Sequence, residues 1–106
     1  MREFTASELQ GYLETAPARP LLLDVREPWE FDKAYIEGST LVPMRTIPGC
    51  LQDFNPDQEI VVICHHGIRS RMIGLHLENH GFSNIINLTG GVEAWAREVD
   101  PHMASY

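Results

Sequence analysis

Along the chain, apolar residues gather in short runs separated by prolines, glycines and charged stretches. The I-V-V-I of Ile60 to Ile63 is β-branched throughout and shows no alternation. Within the run Glu59 to Cys64 it predicts a strand covered on both faces, as in a parallel sheet between helix layers. Leu21 to Val25, with Pro20 before it and Pro28 after it, predicts a second buried strand, and Ile85 to Leu88 a third. Thr40 to Val42, ended by Pro43, predicts a short fourth. Helical patterns lie between them. Leu9, Tyr12 and Leu13 fall at i, i+3 and i+4 behind a Thr5/Glu8 capping box, and Pro17 and Pro20 end the segment. Pro28 opens a short helix through Phe31. Thr46 to Phe54 is expected to be helical, with Pro48 and Gly49 in its first turn. Arg71 to His80 predicts a helix that packs Ile73, Leu75 and Leu77, with Gly81 at its C-terminal end. Gly90 and Gly91 turn the chain into a last helix, Val92 to Val99, which buries Trp95. His102 to Tyr106, after Pro101, is expected to fray. Strands and helices thus alternate along nearly the whole length, which predicts an α/β fold with a mostly parallel sheet. Residues 1–106 read as one domain, ordered from about residue 3 to residue 100.

Composition narrows the function. The chain has 106 residues, 43% of them apolar and 22% charged, as expected of a globular domain. Its net charge is −7, and Lys33 is the single lysine among eight cationic residues. That balance argues against nucleic acid and against anionic membrane surfaces, both of which need basic area. No apolar run reaches the ~20 residues of a membrane span, and no signal peptide is visible. Two cysteines, Cys50 and Cys64, do not make the disulfide framework of a small secreted domain. The expected compartment is the cytoplasm, with both thiols reduced. One local feature runs against the acidic average: Arg69 and Arg71 stand beside His65 and His66, a site better suited to a small anionic ligand than to a polyanion.

The chemistry concentrates in C-H-H-G-I-R-S-R, Cys64 to Arg71, where the central strand passes through a loop into a helix. In open parallel sheets, ligands bind beyond the carboxyl ends of the strands. A helix start offers unpaired N–H groups and a positive dipole end, and Gly67 lets the backbone curl so that they point inward. Arg69, and any protonated His65 or His66, would add positive charge. Such surroundings favour a thiolate and activate it as a nucleophile. The plainer alternatives are a small core cysteine and a metal ligand. The H-H-G-x-R cluster makes simple burial costly. Three contiguous candidate ligands lack the spacing of zinc sites, and no Cys-x-x-Cys stands elsewhere. Cys50, in P-G-C-L, has no activating neighbour and reads as inert. Asp24 and Arg26 read as a structural ion pair, and Trp29 and Trp95 as packing residues.

Three blocks together resemble the single-domain rhodaneses, the thiosulfate sulfurtransferase-like family. They are L-L-L-D-V-R-E-P-W-E-F (Leu21 to Phe31), V-I-C-H-H-G-I-R-S (Val62 to Ser70) and N-L-T-G-G-V-E-A-W (Asn87 to Trp95). The resemblance implies a five-stranded parallel sheet flanked by helices on both faces. It implies that Cys64 takes a sulfane sulfur from thiosulfate or another persulfide donor. The Cys64 persulfide would then pass it to cyanide, a thiol or a protein acceptor. The loop N–H groups from His65 through His66, Gly67, Ile68 and Arg69 to Ser70 would stabilise the persulfide. Arg69 would bind the anionic donor, with Arg71 as a second cation. No cofactor and no metal are implied. Four residues separate Cys64 from Arg69, against five in the related dual-specificity phosphatases, so the loop suits sulfur better than a phosphoryl group. Where many rhodaneses read G-H-I-P-G-A, this chain has A-Y-I-E-G-S. Tyr35 and Glu37 are therefore expected to alter donor or partner preference while the Gly38 turn survives. Three other functions compete: a module that only binds partners, a protein-to-protein sulfur carrier, and a redox or arsenate-handling thiol enzyme that would use Cys50 as a second thiol.

Overall fold

A computed structural model describes all 106 residues. Five strands form one sheet: β1 (Arg2–Phe4), β2 (Leu21–Asp24), β3 (Thr40–Leu41), β4 (Ile60–Ile63) and β5 (Ile85–Leu88). Every pairing is parallel, in the order β1-β5-β4-β2-β3. The helices are α1 (Ala6–Thr15), α2 (Pro28–Lys33), α3 (Ile68–Asn79) and α4 (Gly91–Glu98). The Thr5/Glu8 capping box forms as expected at the start of α1, with N–H···O distances of 3.2 and 2.9 Å. No helix is long and apolar enough to cross a membrane.

Strand β4 lies between β2 and β5, and all four of its residues are buried. Side chains alternate across a strand. Val61 and Ile63 join the cluster built with Ala6, Leu9, Val92 and Trp95 of α1 and α4. Ile60, Val62 and Cys64 join the opposite cluster, with Ile73 and Leu77 of α3. That alternation sends the Cys64 side chain to the α3 face.

Several boundaries differ from expectation. β1 was not expected: it is a three-residue edge strand whose Arg2 and Glu3 are exposed, so it carries no apolar signal. Helix α3 begins at Ile68 rather than Arg71, which puts Ile68, Arg69 and Ser70 in its first turn. Leu75 of α3 is exposed, and the buried positions are Ser70, Ile73, Gly74 and Leu77. Thr46 to Phe54 contains two 3₁₀ turns, Met44–Gly49 and Leu51–Asp53, in place of one helix. Pro48 has no N–H for an i→i−4 bond, and i→i−3 bonds such as Thr46 to Pro43 (2.8 Å) close the turns instead. Trp95 is packed in the core as expected, whereas Trp29 is 58% exposed.

The last residues, expected to fray, fold back onto the body. The Tyr106 ring stacks on His65, with centroids 4.0 Å apart and planes inclined by 12°. Its hydroxyl accepts from Arg26 Nη1 at 2.6 Å and donates to Glu30 Oε2 at 3.0 Å. Arg26 itself is fully buried and grips Asp24, with Nε–Oδ1 at 2.9 Å and Nη2–Oδ2 at 2.7 Å, and its Nη2 also donates to the Ala34 carbonyl. The pair therefore ties the end of β2 to the end of α2, a structural role. Tyr106 gave no periodic signal because its partners come from β2, α2 and the Cys64 loop, which only folding brings together.

Two stability outcomes follow from these contacts. A Cβ on Gly91, where φ is +59°, would lie 2.3 Å from the Cys64 carbonyl oxygen and 2.4 Å from that of His65. Gly91→Ala is therefore expected to cost on the order of 3 kcal/mol in urea unfolding, from overpacking and a left-handed backbone. A loss below about 1 kcal/mol would show that α4 can shift away from the loop. Tyr106→Phe keeps the ring but removes the short acceptor of a buried guanidinium, and unfolding should record a loss of about 1–2 kcal/mol.

Candidate active site

Cys64 stands one residue beyond the end of the central strand and is 1% exposed. The chain then turns sharply at Gly67, whose φ of +100° marks the N-terminal cap of α3. A Cβ at Gly67 would lie 3.0 Å from the Gly90 nitrogen and 3.2 Å from the Leu88 oxygen, so glycine is needed for space as well as for conformation. On the other side of the loop, the first N–H groups of α4 hold its carbonyls: Val92 N–H bonds Cys64 O at 2.9 Å and Glu93 N–H bonds His65 O at 3.1 Å. With those carbonyls turned towards α4, the next N–H can face the sulfur. Gly67 N–H donates to Cys64 Sγ at 3.0 Å. The expectation had been a row of N–H groups from His65 to Ser70, and this is the one that reaches the sulfur.

The second group at the sulfur is Ser70, with Oγ 3.3 Å from Sγ. Ser70 is fully buried on the inner side of α3. Its hydroxyl donates to Oδ1 of Asn87, which sits on β5 with 2% exposure. Asn87 was not singled out from the sequence. A signal was present, since an amide inside the apolar run I-I-N-L must find buried partners.

Arg69 is bound to a carboxylate the sequence reading missed. Its Nη1 and Nη2 meet Glu30 Oε1 and Oε2 at 2.6 and 2.8 Å. Glu30 is only 4% exposed and also accepts from its own helix, at Glu27 N–H (3.0 Å). The Arg69 bonds, followed by the Glu27 N–H and the Tyr106 hydroxyl, outweigh the cost of burial and hold the Glu30 carboxyl down at about 2. The same bonds raise Arg69 above its ordinary value. Burial pushes the Tyr106 phenol up to about 12, so at neutral pH it keeps the proton it gives to Glu30. Glu30, between Trp29 and Phe31, marks a carboxylate set among aromatics, a place that calls for a cation.

The histidines do less than expected. Burial, together with neighbouring His66, lowers His65, so at neutral pH its ring is uncharged and adds no positive charge beside the thiol. His66 faces outward and pairs with Glu93 at 2.8 Å. Ile68 is 72% exposed and points away from the sulfur. Arg71 turns to the sheet edge, with Nε 3.2 Å from Glu3 Oε2. Cys50 is half-buried; its thiol lies 3.6 Å from the Ile47 carbonyl, and burial raises its pKa. Both cysteines are free. No group of three or more His, Cys, Asp or Glu side chains is placed to hold a metal ion.

The largest surface groove, about 550 Å³, does not contain Cys64: it is lined by Tyr35, Glu37, Arg19, Trp95 and Met103, among others. Volume and chemistry therefore point to different places. The strand end carries Cys64 and the N–H that reaches its sulfur, and we take it as the candidate site. Tyr35 stacks on Phe31 at 4.6 Å, and the Gly38 turn is kept, with φ of +86°.

Comparison with known proteins agrees with this geometry. The chain is 35% identical over 89 residues to the rhodanese-like/PpiC domain-containing protein 12, chloroplastic, of Arabidopsis thaliana, covering 80% of this chain and 30% of that protein. It is 34% identical over 84 residues to a sulfurtransferase of Allochromatium vinosum, covering 79% and 78% of the two. The chain thus spans less than a third of the longer relative and most of the shorter. A rhodanese-like domain protein from Staphylococcus aureus superposes with a TM-score of 0.83 at 33% identity, over 93% of this chain and 95% of that one. The profile of the rhodanese-like domain matches residues 5–98. With the fold, the loop and the matched span in agreement, this chain belongs to the rhodanese-like domain family.

Proposed function

We propose that the protein is a sulfurtransferase working through a Cys64 persulfide. One observation supports this above the others: a cysteine at the carboxyl end of the central strand, with the Gly67 N–H aimed at its sulfur from the first turn of α3. An N–H at 3.0 Å favours negative charge on that sulfur, whether thiolate or persulfide. In the first half-reaction, the Cys64 thiolate attacks the outer sulfur of thiosulfate or another sulfane donor. The new Sγ–S bond forms as the donor's S–S bond breaks, and the rest of the donor leaves with the electron pair: sulfite from thiosulfate, a thiolate from a persulfide. In the second, a thiophile attacks the outer sulfur and the Cys64 thiolate is regenerated. Arg69 has two of its N–H groups on Glu30 and the rest left for an anionic donor. With Cys64 almost fully covered, a slim donor with a protruding sulfur fits better than a bulky electrophile.

A protein thiol is the acceptor that the surface favours. Ile68, Met72 and Leu75 are 72%, 56% and 41% exposed, and at i, i+4 and i+7 they run as an apolar stripe along α3 from the loop. Residues 1–106 would act as one domain, in the reducing cytoplasm that two free thiols suit.

Intact-protein mass tests the reaction. Brief incubation with thiosulfate should add about one sulfur atom, removed by cyanide and absent in Cys64→Ser. An unloaded wild type that also refuses a persulfide donor would leave only partner binding. A second measurement concerns the pair that holds Arg69. The folded Glu30 value of about 2 lies below its ordinary 4.5, so ionised Glu30 stabilises the fold above pH 4.5. That contribution, about 3 kcal/mol, is lost as the pH falls from about 4.5 to about 2. Urea midpoints at pH 6 and pH 3 should therefore fall more steeply for wild type than for Glu30→Gln. Parallel falls would show that the pair carries no such linkage.

A further inference from the structure

The sulfur meets two polar groups, Gly67 N–H and Ser70 Oγ, and Asn87 of β5 bonds the Ser70 hydroxyl and the carbonyl of Gly67. We infer that Asn87 is a positioning residue that sets which way the Ser70 hydroxyl proton points, and thereby the balance between thiol and thiolate at Cys64. The inference rests on reading Cys64 as the nucleophile.

The polarity of the hydrogen bonds fixes the argument. Asn87 Nδ2 is 2.8 Å from Glu3 Oε1 and 3.2 Å from the Gly67 carbonyl oxygen. A carboxylate and a carbonyl can only accept, so both amide hydrogens are used and the amide oxygen must face Ser70. Ser70 has one hydroxyl proton, and it goes to Asn87 Oδ1. What Ser70 then presents to Cys64, 3.3 Å away, is a lone pair. Donation runs in one direction, from Cys64 to Ser70, from Ser70 to Asn87, and from Asn87 to Glu3 and Gly67. A lone pair facing the sulfur welcomes an S–H and repels a thiolate. Gly67 N–H acts in the opposite sense and does not change with the proton.

To serve an anionic sulfur, Ser70 must swing its proton from Asn87 to Sγ. That leaves the buried Oδ1 of Asn87 without a donor, which is unfavourable. Asn87 thus holds the site towards the neutral thiol. The neighbouring arginines are each paired with a carboxylate: Arg69 on α3 with Glu30 of α2, and Arg71 on α3 with Glu3 of β1. Glu3 is further held by the Thr89 hydroxyl at 3.0 Å, and His65 in the loop is uncharged at neutral pH.

Alkylation of Cys64 by iodoacetamide tests the inference, because the thiolate is the reacting form and no sulfur transfer is involved. Rates at pH 7 would be read by mass in a Cys50→Ser background for wild type, Asn87→Leu, Ser70→Ala and the double variant. Removing the acceptor frees Ser70 to donate to the sulfur, so Asn87→Leu should react roughly three- to tenfold faster. In the Ser70→Ala background the same change should have no effect, since there is no proton to redirect. Equal acceleration in both backgrounds would mean that the loop has merely loosened, and would overturn the inference, as would an unchanged or slower Asn87→Leu. Asn87→Asp guards against a misfolded Leu variant. It keeps an acceptor for Ser70 while losing both donors, so its rate should stay at or below wild type. Faster reaction of the Asp variant counts against the inference. Failure of thiosulfate loading leaves these alkylation outcomes unaffected, so the two readings fail separately.

Discussion

The close approach of Gly91 to the loop that follows β4 is the constraint on which the site depends. Only a residue without Cβ lets α4 start against the carbonyls of Cys64 and His65. That contact delivers the N–H groups of Val92 and Glu93 to those carbonyls. A peptide plane has its C=O and N–H on opposite sides, so these bonds turn the N–H groups of His65 and His66 away from α4. Gly67 completes the turn with a left-handed backbone and directs its own N–H to the sulfur. Two glycines from distant parts of the chain therefore shape the turn around the Cys64 sulfur.

Charge around that site is more evenly balanced than a count of arginines implies. Arg69 is bound by Glu30 through two short hydrogen bonds, and Arg71 is drawn off to Glu3. His65 is uncharged at neutral pH. The donor that touches the Cys64 sulfur is backbone, the Gly67 N–H at the start of α3, while Arg69 feels the sulfur through its charge. Backbone dipoles are fixed in place and do not titrate, which would suit the thiolate and persulfide states of the proposed reaction. Arg69 is held by Glu30, which Tyr106 also contacts, so part of its charge is already matched before the donor of the proposed reaction arrives.

Much of this was legible in the chain. An unbroken β-branched run marked the central strand, because a strand covered on both faces needs no polar alternation. The alternation of strands with helices gave the parallel sheet, and the three blocks gave the family. Local sequence also set the position of Cys64 at a strand end and of Gly67 at a turn, since both follow from short-range backbone rules. The Thr5/Glu8 cap was readable on the same grounds.

What folding alone decided were the partners across long separations. Glu30, Asn87, Glu3 and Tyr106 carry no periodic signal. Their roles exist only once β5 lies beside β4, and α2 and the chain end lie against the loop. β1 escaped notice because an exposed edge strand of three residues is polar in sequence and is defined by its pairing with β5. The start of α3 moved to Ile68 because Gly67 could cap the helix only with its neighbours at Leu88 and Gly90 in place. Backbone preference and hydrophobic period act over a few residues, so the sequence by itself determined most of the elements and the place of Cys64 at a strand end. The direction of each hydrogen bond around the sulfur depends on groups that meet only in the folded chain, so the tertiary structure decided the electrostatics of the site.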